Sequence, residues 1–219
     1  MNSQLRSFLL LLGILCAAGS ESSLRGTSGD EKAPDVETVT ANVLRKMKEA
    51  RENHIQEETE DGEHRDLMSQ PYGKQGPLTM ADQIIGNPQL SVVAELSAFC
   101  MLGGFANPRQ SFTLFAPTDH AFSLVGEAAV TSLIASKDIC NYMLYHTLQG
   151  RLFSDSQSWN NGLPKQTLHG KFITTETRQT GGGRIIKMVN GYSRLAYPYG
   201  SGARSANGVI HVINQVLVP

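Results

Sequence analysis

Apolar positions between residue 78 and the end of the chain follow two different periods. They recur every three or four residues over 80–103 and again over 136–148, which is the spacing of amphipathic helices. Between these stretches, residues 112–115 alternate towards the pattern of a strand. The first part of this region is therefore expected to be mainly helical, with one early strand.

The residues that follow this strand form a helix start. Pro117 ends the strand, and Thr118 is a suitable N-cap because its hydroxyl can accept a hydrogen bond from an unpaired amide. Asp119 falls in the first turn, where the helix dipole favours a negative charge. The sequence predicts a strand, a cap and a helix in direct succession.

Beyond residue 165 the pattern changes to short β-rich runs separated by turn residues. The runs predicted to be strands are 167–173, 184–189 and 209–213. The turn signals between them are Gly181-Gly182-Gly183, Asn190-Gly191 and Asn207-Gly208. Helices first and a sheet later indicate an α+β fold rather than a doubly wound parallel sheet.

The first residues have the form of a secretory signal peptide. Arg6 precedes an apolar run over 8–18, which is shorter than the roughly 20 residues that cross a bilayer. Small residues at Cys16 and Ala18 predict a signal peptide of residues 1–18, with cleavage after Ser20 as the alternative. The end of the chain lacks the pattern of a GPI signal, so we expect a secreted, extracellular protein without a membrane anchor.

Residues 19–77 are expected to be an acidic, mostly disordered extension that precedes a domain over 78–219. Residues 21–76 carry 13 acidic and 8 basic side chains and no aromatic one before Tyr72. Apolar residues at helical spacing predict a short amphipathic helix near 36–52 that needs a surface to lie on. The segment is interpreted either as a partner-binding arm or as a spacer whose helix docks on its own domain.

Two cysteines remain after removal of the signal peptide. Cys100 and Cys140 would enter an oxidising compartment, where thiols tend to pair. Both lie in apolar segments with a helical pattern, so a disulfide and two separately buried thiols are equally open at this point.

Three segments resemble the fasciclin domain family, in the order that the family has them. Residues 113–122 (TLFAPTDHAF) resemble the first homology box, Tyr145-His146 the central Tyr-His pair, and residues 207–219 the second box that ends the domain. The resemblance covers about 78–219. It implies a compact α+β domain, a twisted β-sandwich or wedge packed with several α-helices.

Most residues of the two boxes have a structural interpretation. The first box turns a buried strand sharply into a helix, and Gly208 of the second box permits the turn into the last strand. His211 is interpreted as a hydrogen-bonded core histidine, although the resemblance also makes it a position of interest. The residues assigned to this structural motif are Phe115, Pro117, Thr118, Asp119, Phe122, Gly208 and His211.

The resemblance also implies a partner contact at Tyr145 and His146. The Tyr-His region has been proposed as a cell-surface receptor contact in animal members of the family. The chemistry of the residues supports a second interpretation, because a pair at the end of a helix flanked by Leu144 and Leu148 can be buried and hydrogen-bonded. Both interpretations stay open from the sequence.

Catalysis has no support in the sequence. His120 beside Asp119 and His146 six residues after Cys140 lack a nucleophile elbow or a cysteine-protease signature. The histidines do not have the spacing of structural zinc sites. We therefore expect no enzyme, no cofactor and no metal, and a net charge of −1 gives no reason to expect nucleic-acid binding.

Charge favours a different kind of partner. From residue 142 onward the chain carries 8 basic and 2 acidic side chains, which fits contact with an extracellular protein or an anionic polysaccharide. The alternative is a solvated basic face that docks the acidic extension of the same chain. The basic residues singled out for partner binding are Arg184, Lys187, Arg194 and Arg204.

The sequence thus predicts a secreted, non-enzymatic protein that acts in cell adhesion or matrix association through protein or anionic-glycan contacts. The alternative is a water-soluble carrier of a small hydrophobic ligand such as a carotenoid, because some algal members of the family bind carotenoids. The side chains that could line a groove for such a ligand are Phe172, Met188, Tyr192, Tyr197 and Tyr199.

Overall fold

The computed structural model describes residues 34–57, 78–160, 162–179, 181–183, 185–195 and 203–219. The helices in this part of the chain are α1 (Val36–Glu57), α2 (Met80–Ile85), α3 (Ser91–Phe99), α4 (Asp119–Val125), α5 (Glu127–Ala135), α6 (Ile139–Tyr145) and α7 (Gln157–Asn160). The strands are β1 (Phe112–Pro117), β2 (Thr147–Gln149), β3 (Lys165–Gln166), β4 (Phe172–Ile173), β5 (Thr175–Gln179), β6 (Ile185–Val189), β7 (Ser193–Arg194), β8 (Ala203–Ser205) and β9 (Gly208–Ile213).

The order of these elements confirms the predicted α+β fold. Only one described helix, the single-turn α7, follows β2, and most strands come after it. Helix α5 lies outside the predicted helical stretches. Its pattern is weak because only Val130 and Ile134 are buried, and Gly126 in a left-handed conformation (φ +95°) separates it from α4.

One or two helices are predicted over 80–103, and the structure has two. Helix α2 ends at Ile85, a short 3-10 turn covers Pro88–Leu90, and α3 follows directly. Pro88 has no amide hydrogen and occupies the first position of the turn, while the side chain of Asn87 caps it by accepting a hydrogen bond from Gln89 N. Asn87 and Pro88 therefore mark where the second helical segment begins, which the apolar period alone leaves open.

The strand predicted over 167–173 is instead a hairpin. Thr167 N donates to Lys171 O at 2.9 Å, and Gly170 takes a left-handed conformation (φ +94°), so the chain reverses within the predicted strand. Strands β3 and β4 pair across this turn. The runs predicted at 184–189 and 209–213 correspond to β6 and β9.

The main sheet is built on a parallel pair of strands that are distant in the sequence. Its strand order is β2-β1-β9-β8, and the register of β1 with β9 runs from Phe112 opposite Gly208 to Pro117 opposite Ile213. All six residues of each strand are buried. Strands covered on both faces are typically near-continuous apolar runs, and β1 and β9 fit this pattern except at Thr113 and His211.

The two faces of this sheet supply two separate cores. Leu114 and Val212 point towards the helices, whereas Phe115 and Ile213, one residue further along their strands, belong to a second cluster with Trp159. The second cluster lies against α7 and the small sheet β5-β6-β7. The domain is therefore layered, with helices on one face of the main sheet and short strands on the other.

Helix α1 is part of the helical core, and it is longer than the predicted 36–52. Val39, Val43 and Met47 are fully buried against α3, α4 and α5. Burial of three such side chains stabilises by about 1.5–3 kcal/mol each. The described residues from 34 onward belong to one compact unit, so the predicted boundary at 78 places a core helix in the extension. The remaining extension residues, 19–33 and 58–77, lie outside the described part.

Gly208 is needed for close packing and not for a turn. Its φ is not in the left-handed region, but a Cβ at this position would collide with the Met80 side chain and with the Phe112 carbonyl oxygen. Glycine thus allows β9 to start against β1 and α2.

A disulfide joins Cys100 with Cys140, whose Cα atoms lie 5.4 Å apart. It links the residue after α3 to α6, so the helices on one face of the sheet are covalently tied. Of the two states that the sequence leaves open, the paired one is present.

Candidate functional site

The Tyr-His pair lies in the interior. Tyr145 is 5% exposed and His146 1% exposed. Both sit where α6 ends and the chain enters β2. In this conformation neither ring offers a surface to a partner, and their hydrogen bonds show what they do instead.

His146 fastens the end of the chain. Its Nδ1 lies 2.7 Å from Tyr142 O, which can only accept, and Leu217 N donates to Nε2 at 2.9 Å. The proton is therefore on Nδ1 and the ring is neutral. Burial lowers the pKa of His146 from 6.5 to about 4, although the bond to Tyr142 opposes this shift.

Tyr145 links the end of α6 to two hairpins. Its hydroxyl donates to Phe172 O at 3.2 Å and accepts from Asn190 Nδ2 at 3.1 Å. Asn190 itself occupies a left-handed turn (φ +51°), and its Oδ1 accepts from Thr174 N. The pair therefore joins a helix end, two turns and the C-terminal segment by internal hydrogen bonds.

His211 is a second neutral core histidine. Its Nε2 donates to Leu152 O at 2.7 Å, and its ring stacks on Phe115 with centroids 5.5 Å apart. Burial lowers its pKa to about 4, against smaller opposing effects of the Leu152 carbonyl and the charge of Asp155. The Nδ1 atom of His211 has no hydrogen-bond partner among the described residues, so a proton there would meet no acceptor.

The first box has the predicted cap and one unexpected contact. Thr118 Oγ1 accepts from Ala121 N at 3.1 Å, as an N-cap does. Asp119 turns away from its own helix and accepts from Ser91 N and Val92 N, so it caps α3 from outside. Burial raises the pKa of Asp119, and these hydrogen bonds oppose the rise. Asp119 joins α3 and α4, which dipole considerations alone did not indicate.

The aromatic residues of this box lie in different cores. Phe115 belongs to the cluster around Trp159, and Phe122 to the helical cluster. Pro117 is the last residue of β1. These residues hold the framework of the domain.

Asn207 is a structural residue that the sequence pattern presents only as half of a turn signal. It is fully buried, its Oδ1 accepts from Met80 N at 2.8 Å, and its Nδ2 donates to Phe105 O at 2.7 Å and Asn107 O at 3.1 Å. One side chain thus fixes α2 and the 107–111 segment against the start of β9. Nothing local to Asn207 predicts these partners.

The basic residues singled out from the sequence do not form one surface. Arg194 in β7 lies opposite Met188 in β6, so their side chains are on the same face of the sheet β5-β6-β7. Lys187, next to Met188 in β6, points to the opposite face, where its Nζ donates to Thr177 Oγ1 at 2.9 Å. Arg184 lies outside the described residues, as do Tyr197 and Tyr199.

Another group of cations meets at one end of the main sheet. Because β1 and β9 are parallel and β2 and β8 run opposite to them, the segments 107–111, 150–153 and 205–207 share that end. Three exposed arginines come from these segments or the strand beside them, together with one aromatic ring. We call this group the arginine end and define it as Arg109, Arg151, Phe153 and Arg204.

Two arginines of the arginine end make contacts within the domain. Arg151 Nη2 donates to Ala206 O at 2.6 Å, and the guanidinium carbon of Arg204 lies 4.7 Å from the centroid of the Phe153 ring. Two acids lie on the elements packed there. Asp82 accepts hydrogen bonds from Thr79 N and Thr79 Oγ1, and Asp155 lies two residues after Phe153 in the chain. Arginines therefore outnumber acids at this end.

A separate apolar groove lies on the helical side. Its volume is about 330 Å³, and its walls come from α4, α5, α6 and the C-terminal segment. The residues that line it include Phe122, Val125, Ala129, Leu133, Tyr142 and Val216. Of the residues proposed from the sequence for a ligand groove, Phe172, Met188 and Tyr192 are not among its lining residues, and Tyr197 and Tyr199 lie outside the described residues.

The described residues contain no group of three or more His, Cys, Asp or Glu side chains that could hold a metal ion. Within the same part of the chain, no helix is both long and apolar enough to cross a bilayer.

Comparison with known proteins agrees with this architecture. The family model described as Fasciclin domain matches residues 89–219, more than half of the chain. The chain belongs to the fasciclin domain family. No curated protein matches it in sequence.

A solved structure supports the same fold. It is the FAS1 domain pair from the insect cell adhesion molecule fasciclin I, with a TM-score of 0.53 and 16% identity. The match covers 65% of this chain and 51% of that one, so this chain spans about half the length of the solved pair. At this identity the likeness concerns the fold, and α1 lies before the residues that the family model matches.

The two neutral histidines predict a loss of stability in mild acid. The two histidines take up protons near pH 6.5 in the unfolded chain and only near pH 4 in the folded chain. Their contribution to the free energy of unfolding is therefore complete above pH 6.5 and decreases as the pH falls towards 4. The loss reaches roughly 3 kcal/mol for each histidine at the acid end of this window. Urea unfolding between pH 7 and pH 4.5 measures it.

A His146→Gln variant is the control, because Gln retains an acceptor for Leu217 N and does not titrate. Its unfolding free energy should depend less steeply on pH than that of the wild type. Equal slopes, or an NMR titration of His146 near pH 6.5, would contradict the internal role of this ring.

Proposed function

We propose that this protein is a secreted, non-enzymatic member of its family that associates with cell surfaces or extracellular matrix by binding an anionic glycan at the arginine end. The observation that carries the proposal is that the exposed residues Arg109, Arg151 and Arg204 lie at one end of the main sheet, where the Arg204 guanidinium lies over the Phe153 ring. Arginine presents a planar set of donors that matches carboxylate and sulfate groups, and an adjacent ring can pack on a sugar face.

The interior position of Tyr145 and His146 supports a partner surface elsewhere. A receptor could reach these rings only if the hydrogen bonds to Leu217, Phe172 and Asn190 were broken. The arginine end needs no such opening, because Arg109, Arg151 and Arg204 are exposed residues. We therefore assign the pair a supporting role and the arginine end the contact.

Other observations fit an extracellular site of action. The similar solved structure comes from a protein described as a cell adhesion molecule. The Cys100–Cys140 disulfide is typical of an oxidising compartment, and the first 18 residues have the pattern of a signal peptide. Of the cations singled out by sequence, Arg204 belongs to the proposed contact, whereas Lys187 and Arg194 face opposite ways.

The proposal predicts that the double variant Arg151→Gln, Arg204→Gln binds a sulfated glycan about tenfold more weakly than the wild type, or about 1.4 kcal/mol. Glutamine keeps hydrogen-bond donors near Ala206 O while it removes the charges. Affinity chromatography on immobilised heparin, followed by a Kd titration, gives the difference. The wild-type affinity should also fall with salt, since the screening length is about 8 Å at physiological ionic strength.

The matched control removes two arginines elsewhere. Arg45 and Arg178 are both exposed and each forms a surface ion pair, with Glu49 and Glu176 respectively. Arg45→Gln, Arg178→Gln should leave the affinity nearly unchanged. If both double variants lose the same affinity, binding follows net charge alone and the arginine end is not a site.

A second candidate function, carriage of a small hydrophobic ligand, is favoured by the apolar groove. Its volume of about 330 Å³ lies within the usual range for small-molecule sites, and its walls are mostly aliphatic and aromatic. The residues that line this groove are not the ones that the sequence suggested for a ligand groove. It supports an uncharged apolar ligand rather than a sugar.

A bulky side chain on the wall of the groove tests this candidate. Ala129→Trp should fill the groove and lower the affinity for a neutral apolar dye such as Nile red by about tenfold. Ala128→Trp is the matched control, because Ala128 is exposed on the same helix and does not line the groove. Fluorescence titration reports the result. Absence of dye uptake by the wild type, or equal loss in both variants, rejects the carrier function.

A further inference from the structure

The surface beneath α1 has the character of a binding site for a helix. Helix α1 precedes the residues that the family model matches, yet Val39, Val43 and Met47 are buried against α3, α4 and α5. These three residues recur at four-residue spacing and form one apolar stripe. The family domain thus presents an apolar surface that α1, from outside the matched region, covers.

Polar contacts fix the direction and register of α1 on this surface. Lys46 Nζ donates to Glu95 Oε2 at 2.9 Å and also to Ser91 O. Asn42 Nδ2 donates to Glu95 Oε1 at 3.0 Å. Further along the helix, Arg51 Nη2 donates to Ser123 O at 3.0 Å. A helix bound here has one orientation and a defined set of partners on the domain.

The covalent connection does not require that α1 belong to the same molecule as the domain. Twenty residues, 58–77, separate the described end of α1 from the next described residue. A chain of that length spans at most about 65–70 Å, and α1 itself is about 33 Å long. The described disulfide joins Cys100 with Cys140, both in the domain, so it leaves α1 free to exchange.

We propose that the surface formed by α3, α4 and α5 is an interaction surface for α1 of a second copy of this chain. Two copies that exchange their α1 helices make the same apolar and polar contacts as one copy alone. Protein concentration and the connecting segment therefore set the equilibrium between monomer and exchanged dimer. Reciprocal exchange gives a closed, two-fold symmetric pair. This inference is independent of the glycan-binding proposal, although a pair would carry two arginine ends and bind a polymeric glycan with avidity.

Charge reversal across the Lys46–Glu95 contact tests the exchange. In Lys46→Glu, two acids face each other within the chain, and in Glu95→Lys two lysines do. Each variant is therefore repelled in its own copy, whereas α1 of either variant complements the domain of the other. Mixing the two variants should raise the dimer fraction by roughly tenfold over either variant alone, measured by light scattering and native mass spectrometry.

The double variant Lys46→Glu, Glu95→Lys is the matched control, since it restores the ion pair within one chain. It should behave like the wild type and should not gain dimer on mixing. Adding Val43→Asp to both single variants removes the apolar contact and should abolish the mixed dimer. Folded single variants that remain monomeric on mixing, or a mixed dimer that survives Val43→Asp, overturn the proposal.

The wild-type chain provides a test that does not depend on the charge variants. Isotope-labelled and unlabelled full chains from a secreting host are incubated together at high concentration and then examined by native mass spectrometry. Mixed dimers that disappear in a Val43→Asp chain support exchange of α1. Monomers alone at every concentration tested, with the wild type folded by circular dichroism, contradict it.

Discussion

The parallel pairing of β1 with β9 is the constraint on which the rest of the domain depends. These strands are about a hundred residues apart in the sequence, yet each is completely buried. A parallel pair needs cover on both faces, since neither strand can expose a polar side to water. The helices supply one cover, and the short strands with Trp159 supply the other. The two family boxes are the sequences of this pair.

Buried polar side chains complete the ends and edges of that pair. Asn207 satisfies backbone groups at the start of β9, and His146 holds the segment that follows it through Leu217. Asp119, just after β1, caps α3. Such groups stabilise when their hydrogen bonds are made. The interior histidines are neutral because burial lowers their pKa. The chemistry of the boxes is thus largely the chemistry of holding two strands together.

The sequence predicts the parts of this structure that depend on local chemistry. The Thr118 cap, the inward Phe115 and Phe122, and the strands at 185–189 and 208–213 follow from propensity and period. The order of helical and strand patterns predicted the α+β fold, and the family resemblance implied the same fold. Glycine accounts for one difference, the hairpin turn at Gly170 within a run that the pattern predicts as a single strand.

The parts that the sequence does not predict depend on contacts between distant segments. The sequence leaves open whether Tyr145 and His146 are buried, because this depends on the C-terminal segment and the Asn190 turn. It also leaves open whether the 36–52 helix docks on its own domain, because this depends on α3, α4 and α5. The arginine end appears only when β1 and β9 pair in parallel, because Arg109 and Arg151 are far from Arg204 in the chain. Charge counts identified a basic half of the sequence, but they could not show that Lys187 and Arg194 lie on opposite faces of the sheet β5-β6-β7.

Partner binding is therefore expected on the surface of the domain, at the arginine end, rather than at Tyr145 and His146. Amide hydrogen exchange of the full chain, with and without a heparin-derived oligosaccharide, tests this most directly because it locates the contact on the sequence. The account predicts new protection in segments 107–111, 150–153 and 204–207, with residues 145–146 unchanged. Protection centred on Tyr145 and His146, with none at the arginine end, would contradict it.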